Sequence, residues 1–283
     1  INGTLEIFIG LSHLHHYHLE KLTDIHSKFL GRDTVVDIFL PFQYEKGHKH
    51  YPLLMLNDGQ DSETIHLQQT LEKLTLEKEI EDIIVVAVHA GDRMQEYGVA
   101  SKADFKKRGA KAKNYTKFIV TELIPYLHYR YSISQKQQDH AFAGFSLGGL
   151  SAMDIAWHHA DYFGKVGAFS ASFWWRQRDT KSRFYSDYRD RIMHQQIRRG
   201  RFKEGMKFWF QTGLRDEHSD RNKNGVIDSI DDTLDLIVEL TKKGYRPFHD
   251  IQYLEMKHGE HNLKTWAEAM PYFLKWAFPR IRD

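Results

Sequence analysis

The sequence predicts an α/β fold, a doubly wound and mostly parallel sheet with antiparallel N-terminal strands and helices on both faces. Three observations carry that expectation. The runs Pro52–Asn57 and Ile83–Val88 are almost continuously apolar, as strands covered on both faces must be. Segments with helical apolar spacing separate these runs, which is the rhythm of βαβ connections. A chain of 283 residues that is 41% hydrophobic can also bury one large core.

In chain order, Thr4–Ile9 alternates apolar and polar residues, and Thr34–Leu40 is rich in β-branched residues ahead of Pro41. These predict the antiparallel, hairpin-rich edge. Thr64–Glu79 places Leu67, Leu71, Leu74 and Leu76 at helical spacing between the two buried strands. A helix from about Tyr115 to Tyr129, a strand at His140–Ala143, a helix reaching about His158 and a strand at Lys165–Ser170 follow. Residues 183–203 are charged and aromatic without a strand pattern, and read as a helical insertion placed to overhang the carboxyl edge of the sheet. Lys207–Gln211 is the next strand, Asp232–Lys243 a helix, Ile251–Glu255 the last strand, and Leu263–Phe278 a closing helix that contains Pro271. With no internal repeat or low-complexity linker, residues 1–283 are expected to form a single domain.

Composition narrows the function. Forty basic and 38 acidic residues leave a net charge of +2, too little to favour nucleic acid or an anionic membrane, so the expected partner is a small molecule. The absence of cysteine removes disulfides, thiolate zinc sites and cysteine nucleophiles, so any covalent chemistry falls to serine. No apolar run approaches the ~20 residues of a membrane span. Ile1 is neither an initiator methionine nor the start of a signal peptide, so the chain is expected to be trimmed or processed. Compartment and oligomeric state stay open.

Ser146 lies in Ala143-Gly144-Phe145-Ser146-Leu147-Gly148-Gly149, between a strand and a helix. That is the context of a G-x-S-x-G nucleophile elbow, in which the serine is strained and flanking glycines let strand and helix pass closely. A serine hydroxyl needs a base, and the base needs an orienting acid. Both follow in the order this elbow requires. Asp216 comes after the Lys207–Gln211 strand, with Glu217 as its rival. His258 and His261 follow the last strand, and His261, just past Gly259, ranks first. An oxyanion hole is expected from the amide of Leu147 at the helix start and the amide of Gln60 in the Asp58-Gly59-Gln60 loop.

These motifs, with Tyr51-Pro52-Leu53-Leu54, Asp92-Arg93, Glu96-Tyr97 and Glu122-Leu123-Ile124-Pro125-Tyr126, make the chain resemble the esterase D and enterochelin-esterase-like branch of the α/β-hydrolases from about Thr34 to Phe278. The resemblance implies an α/β-hydrolase fold and a serine esterase or acyltransferase, with Ser146 as nucleophile, His261 as base, Asp216 as acid, and Gln60 and Leu147 as oxyanion donors. Fold alone does not choose the substrate. An acylated sugar, an aromatic-acid ester or a siderophore-type ester would suit Trp174, Trp175 and Arg93, which are expected to bind it. Phe184, Tyr185 and Tyr188 of the insertion would add a wall. The alternatives are acyl transfer to an alcohol and calcium-dependent carbohydrate binding without catalysis.

A second motif spans residues 220–231. Asp220, Asn222, Asn224, the Val226 carbonyl and Asp231 stand at the ligand positions of an EF-hand-type calcium loop, with Gly225 at the sixth place and Ile227 at the eighth. Asp231 replaces the usual bidentate glutamate, and Arg221 and Lys223 lower the local negative charge. The expectation is no cofactor for catalysis and a structural calcium ion that stiffens the loop after Asp216.

Overall fold

A computed structural model describes residues 17–280. The expected strand at Thr4–Ile9 lies outside them. Among these residues eight strands form one sheet: β1 (His18–Ser27), β2 (Arg32–Leu40), β3 (Leu53–Asn57), β4 (Ile84–Val88), β5 (His140–Phe145), β6 (Lys165–Phe169), β7 (Lys207–Arg215) and β8 (Ile251–Glu260). Their spatial order is β1-β2-β4-β3-β5-β6-β7-β8. β1 pairs with β2, and β2 with β4, in antiparallel fashion; all later pairings are parallel. This is the mixed sheet that the apolar runs foretold. β1 went unread because it is a half-exposed edge strand whose residues, His18 to Ser27, are mostly polar.

Period-two alternation divides the sheet between two cores. Leu53, Met55, Ile84, Val86 and Phe142 face one side; Leu54, Leu56, Val85, Ala87 and Ala143 face the other. Among the described residues the α-helices are α1 (Leu67–Leu76), α2 (Arg93–Glu96), α3 (Ala112–Lys117), α4 (Ile124–Arg130), α5 (Leu147–His158), α6 (Asp187–Asp190), α7 (Ile192–Arg199), α8 (Asp228–Lys243) and α9 (Leu263–Ala277). α5 and the helical run through α3 and α4 cover the first core, and α1 and α9 cover the second. The chain therefore leaves β3 toward one face and β5 toward the other. The two neighbouring strands open a crevice at their carboxyl ends, where ligands of such sheets bind.

α6 and α7 lie along α8, drawn there by ion pairs from Arg191 to Asp232 (2.7 Å) and Asp235 (2.5 Å) and from Arg198 to Glu239 (3.0 Å). Phe184 and Tyr188 stay exposed and line no part of the cavity around Ser146. Among the described residues no helix is long and apolar enough to cross a membrane.

Candidate active site

Ser146 joins β5 to α5 with φ 53° and ψ −118°, a conformation that costs a non-glycine residue about 1–3 kcal/mol. The surroundings hold it there. Its amide donates to Phe169 O at 2.9 Å, and its carbonyl accepts from Ser172 N at 3.0 Å. Gly144 makes the sharp turn sterically feasible, because a Cβ there would stand 2.4 Å from Gly148 C and 2.5 Å from its O. Both are backbone atoms that cannot swing aside. Gly144→Ala is accordingly expected to cost about 3 kcal/mol or more, lowering Tm by roughly 5–10 °C; thermal unfolding followed by circular dichroism checks it, and an unshifted Tm would contradict the packing argument.

A cavity of about 400 Å³ opens above the elbow. Ser146, Asp216 and His261 all line it, together with Leu147, Arg93 and Trp174. Three positions separated by up to 115 places in the chain meet because β5, β7 and β8 all end at this rim. Ser146 Oγ lies 3.3 Å from Ser172 Oγ.

Asp216 is 9% exposed. Its Oδ2 accepts from Gly213 N at 3.0 Å, while Oδ1 is buried with no hydrogen-bond partner among the described residues. Burial raises this carboxyl above the ordinary range, against the opposing pull of the Gly213 amide, the nearby Ser170 hydroxyl and His261. Burial likewise pushes the His261 imidazole down, with Asp216 opposing and the Arg93 charge adding to the fall. An acid and a base that feel each other electrostatically thus share one pocket. Asn262 caps α9 by accepting from Thr265 N at 3.0 Å, which fixes the turn that presents His261. Trp266 packs edge-on to the His261 ring, 5.1 Å between centroids, and donates to Ser170 Oγ at 3.2 Å.

The rival candidates sort themselves by position. His258 is exposed on β8, away from the cavity, because the strand runs on to Glu260 and not to the expected Glu255. Glu217 also lines the cavity, and its raised pKa traces first to burial and then to Asp228. Trp174 reaches the cavity with the Arg108 guanidinium 4.7 Å from its ring centroid. Trp175 does not bind at the surface: it is 0% exposed, its ring wedged against Gly98 and Gly109. Apolar burial won over the pocket expected for the pair. Gln60 lies beyond the Ser146 cavity, facing another one beside Leu19 and His89. Its side chain bonds Asp58 and Ala90 N, each at 3.0 Å.

Sequence reasoning missed Arg108, Ser170, Ser172 and Ser229 as cavity residues. Ser170 and Ser172 sit in the loop after β6, where position after a parallel strand was the available signal. Arg108 carried none, since it reaches the cavity from an irregular loop where it is paired to Asp104.

The 220–231 loop brings Asp220, Asn222, Asn224 and Asp231 together. Asp231 Oδ2 accepts from the amides of Asn222 and Asn224, both at 2.8 Å, and Asp220 accepts from Asn224 N at 3.1 Å and Gly225 N at 2.9 Å. Asp228 instead pairs with Arg221, whose guanidinium also holds Asp187 and Asp232. Two carboxylates remain for an ion, and no group of three or more His, Cys, Asp or Glu suited to a metal occurs among the described residues.

Comparison with known proteins sets these features in a family. The family described as "Putative esterase" matches residues 27–277. Uncharacterized protein YbbA of Bacillus subtilis is 25% identical over 142 residues, 49% of this chain and 56% of that protein. The endo-1,4-beta-xylanase/feruloyl esterase of Xylanibacter ruminicola is 26% identical over 168 residues, 56% of this chain and 22% of that protein. The match thus spans little more than half of the first curated relative. Among solved structures, a ferulic acid esterase superposes with TM-score 0.70 at 20% identity, covering 93% of this chain and 98% of the other. The enterobactin esterase of Shigella flexneri, solved with enterobactin, gives 0.70 at 20% identity, covering 92% and 58%. At such identity these likenesses speak for the fold, which is that of the α/β-hydrolase esterases. Since the family match runs from the first hairpin to the last helix, the chain belongs to the putative esterase family.

Proposed function

We propose that the chain is a serine carboxylic ester hydrolase working through an acyl-serine intermediate. The observation that carries the reading is the convergence of strained Ser146, Asp216 and His261 on one cavity. His261 takes the proton of Ser146 Oγ as that oxygen bonds the acyl carbon, and Asp216 holds the imidazole in the tautomer that can accept it. The amide of Leu147, at the start of α5 beside the cavity, receives the charge that grows on the acyl oxygen. Protonated His261 then returns its proton to the departing alcohol, and a water activated by the same base releases the acid. Labelling of Ser146 by a phosphate triester, together with release of acid from p-nitrophenyl esters, tests this. A product that is a new ester would make the protein an acyltransferase, and no labelling would end the proposal.

For the substrate, the flat Trp174 face in the cavity supports an aromatic-acid ester or an acylated sugar. The relatives' names point the same way, since one is a feruloyl esterase and another an enterobactin esterase.

The pH dependence follows from the base. Neutral imidazole accepts the proton, and burial lowers the pKa of His261, so it stays neutral at more acidic pH than a free histidine. The acid limb of kcat/KM is therefore expected below the ordinary value of about 6.5. A pH–rate profile checks this, and a limb centred above that value would show that attraction by Asp216 outweighs burial.

We further propose that the 220–231 loop takes a calcium ion through Asp220, Asn222, Asn224, the Val226 carbonyl and Asp231. The support is the twelve-residue spacing and the meeting of four of those side chains at Asp231 and Asp220. A loop so poor in charge is expected near Kd ~10⁻⁴ M, so about 10 mM calcium would add ~2.7 kcal/mol and raise Tm by several degrees, reversibly with chelator. An unmoved Tm with no calorimetric binding would reject the site.

A further inference from the structure

The cavity wall holds an arginine whose bonds point to a role other than meeting substrate. Arg93 Nε donates to Asp58 Oδ1 at 2.8 Å and Nη2 to Asp58 Oδ2 at 2.9 Å, a two-pronged pair of the strong kind. Nη2 also donates to Phe145 O at 3.1 Å. Phe145 immediately precedes the nucleophile, and Asp58 stands two places before Gln60. One guanidinium therefore bridges the elbow and the loop after β3.

Asp58 has reason to need a clamp. It is 2% exposed and left-handed, with φ 62° and ψ 47°, a conformation that side-chain-bearing residues seldom adopt. Its amide donates to the Tyr97 hydroxyl at 3.0 Å, and the Arg93 guanidinium lies 5.3 Å from the centroid of the same ring. Its carboxylate presses on the elbow helix so closely that a Cβ on Gly148 would come within 2.7 Å of Oδ2. Beside it, Asn57 Nδ2 donates to Gly148 O at 2.8 Å and the Tyr115 hydroxyl donates to Asn57 Oδ1 at 2.6 Å. The loop and the elbow are thus joined by buried polar bonds, and the only cationic side chain bonded to Asp58 is Arg93 among the described residues.

We propose that Arg93 is a positioning residue: by tying the Asp58 carboxylate to the Phe145 carbonyl it fixes the elbow against the loop after β3, and with it the place of the Leu147 amide that receives the oxyanion. The proposal rests on the serine-hydrolase reading. It assigns Arg93 a part in transition-state geometry and none in choosing the acyl group. Lysine cannot replace it, because an ammonium lacks the planar fork that spans both carboxylate oxygens while also reaching the carbonyl.

The test uses the full chain as Arg93→Met, Arg93→Lys and Asp58→Asn, with p-nitrophenyl acetate, the anionic p-nitrophenyl hemisuccinate, and a phosphate triester that labels serine. For a misplaced oxyanion donor, kcat is expected to fall about 10²–10³-fold for both esters in both Arg93 variants. KM should change little, and the labelling rate should drop in step with kcat. Asp58→Asn should reproduce the same split, which keeps the proposal open to test even where Arg93→Met unfolds. A loss confined to KM for the hemisuccinate would make Arg93 a substrate contact and overturn the proposal, as would full activity in Arg93→Lys. Should wild-type protein neither turn over esters nor be labelled, the serine-hydrolase reading itself fails. Wild-type labelling matched by an unchanged rate in Arg93→Met would sink the positioning role alone.

Discussion

Ser146→Ala is expected to lower kcat/KM for short p-nitrophenyl esters by roughly 10⁴–10⁶-fold while leaving the unfolding transition in place. In the proposed mechanism the activity loss follows from removing the Ser146 oxygen that bonds the acyl carbon. Stability is spared because the hydroxyl makes one long hydrogen bond, 3.3 Å to Ser172, worth no more than about 1 kcal/mol. Alanine keeps the same Cβ, and the strained φ of 53° is held by the bonds to Phe169 and Ser172 that the backbone makes. Turnover in the variant equal to wild type, with unchanged circular dichroism, would place the chemistry elsewhere. Ser170 and Ser172 also line the cavity, so a residual rate should be checked in Ser146→Ala/Ser172→Ala before it is ascribed to the oxyanion donors.

The second large effect separates the two neighbouring acids. Asp216→Asn is expected to cut kcat about 10⁴-fold, and Glu217→Gln to change it less than about tenfold. The reason lies in the Gly213 amide, which donates to Asp216 Oδ2 and would hold the oxygen of an asparagine in that place. In the proposed triad the NH₂ group would then occupy the Oδ1 position, a buried acceptor with no hydrogen-bond partner among the described residues, and would offer His261 a donor in place of an acceptor. His261 would turn to the tautomer that cannot accept the serine proton. Stability should move the other way. Burial raises the Asp216 pKa, so folding favours the protonated form and ionisation near neutral pH works against the fold. A neutral amide removes that cost, and the variant should unfold no lower than wild type at pH 7 in a thermal melt. Equal losses in both variants, or a larger one in Glu217→Gln, would reassign the acid.

Much of this site was legible before folding was considered. The elbow could be read because its chemistry and its sterics are both local: glycines flank Ser146, and strand and helix adjoin it within a dozen residues. The order of Asp216 and His261 could be read because parallel strands deliver their carboxyl ends to one rim in sequence. The position just past Gly259 already ranks His261 over His258, and the observed length of β8, set by pairing with β7 through Arg215 and Glu260, leaves His258 exposed on that strand. Trp174 and Trp175 look alike in the sequence. One lines the cavity and the other is core, because in this loop the ring of Trp175 fills the gap left by Gly98 and Gly109.

What the amino-acid order determined by itself was the alternation of strands and helices, the strained serine and the order in which Asp216 and His261 arrive at its cavity. These depend on periodicity and on backbone freedom, which act over a few residues. What only the tertiary structure decided was which side chains face one another: that the insertion lies along α8, that Trp175 is packing, and that Arg93 binds Asp58 and Phe145. Contacts between residues 35 to 52 positions apart, as those of Arg93 are, arise from how the layers pack, and no local pattern encodes them.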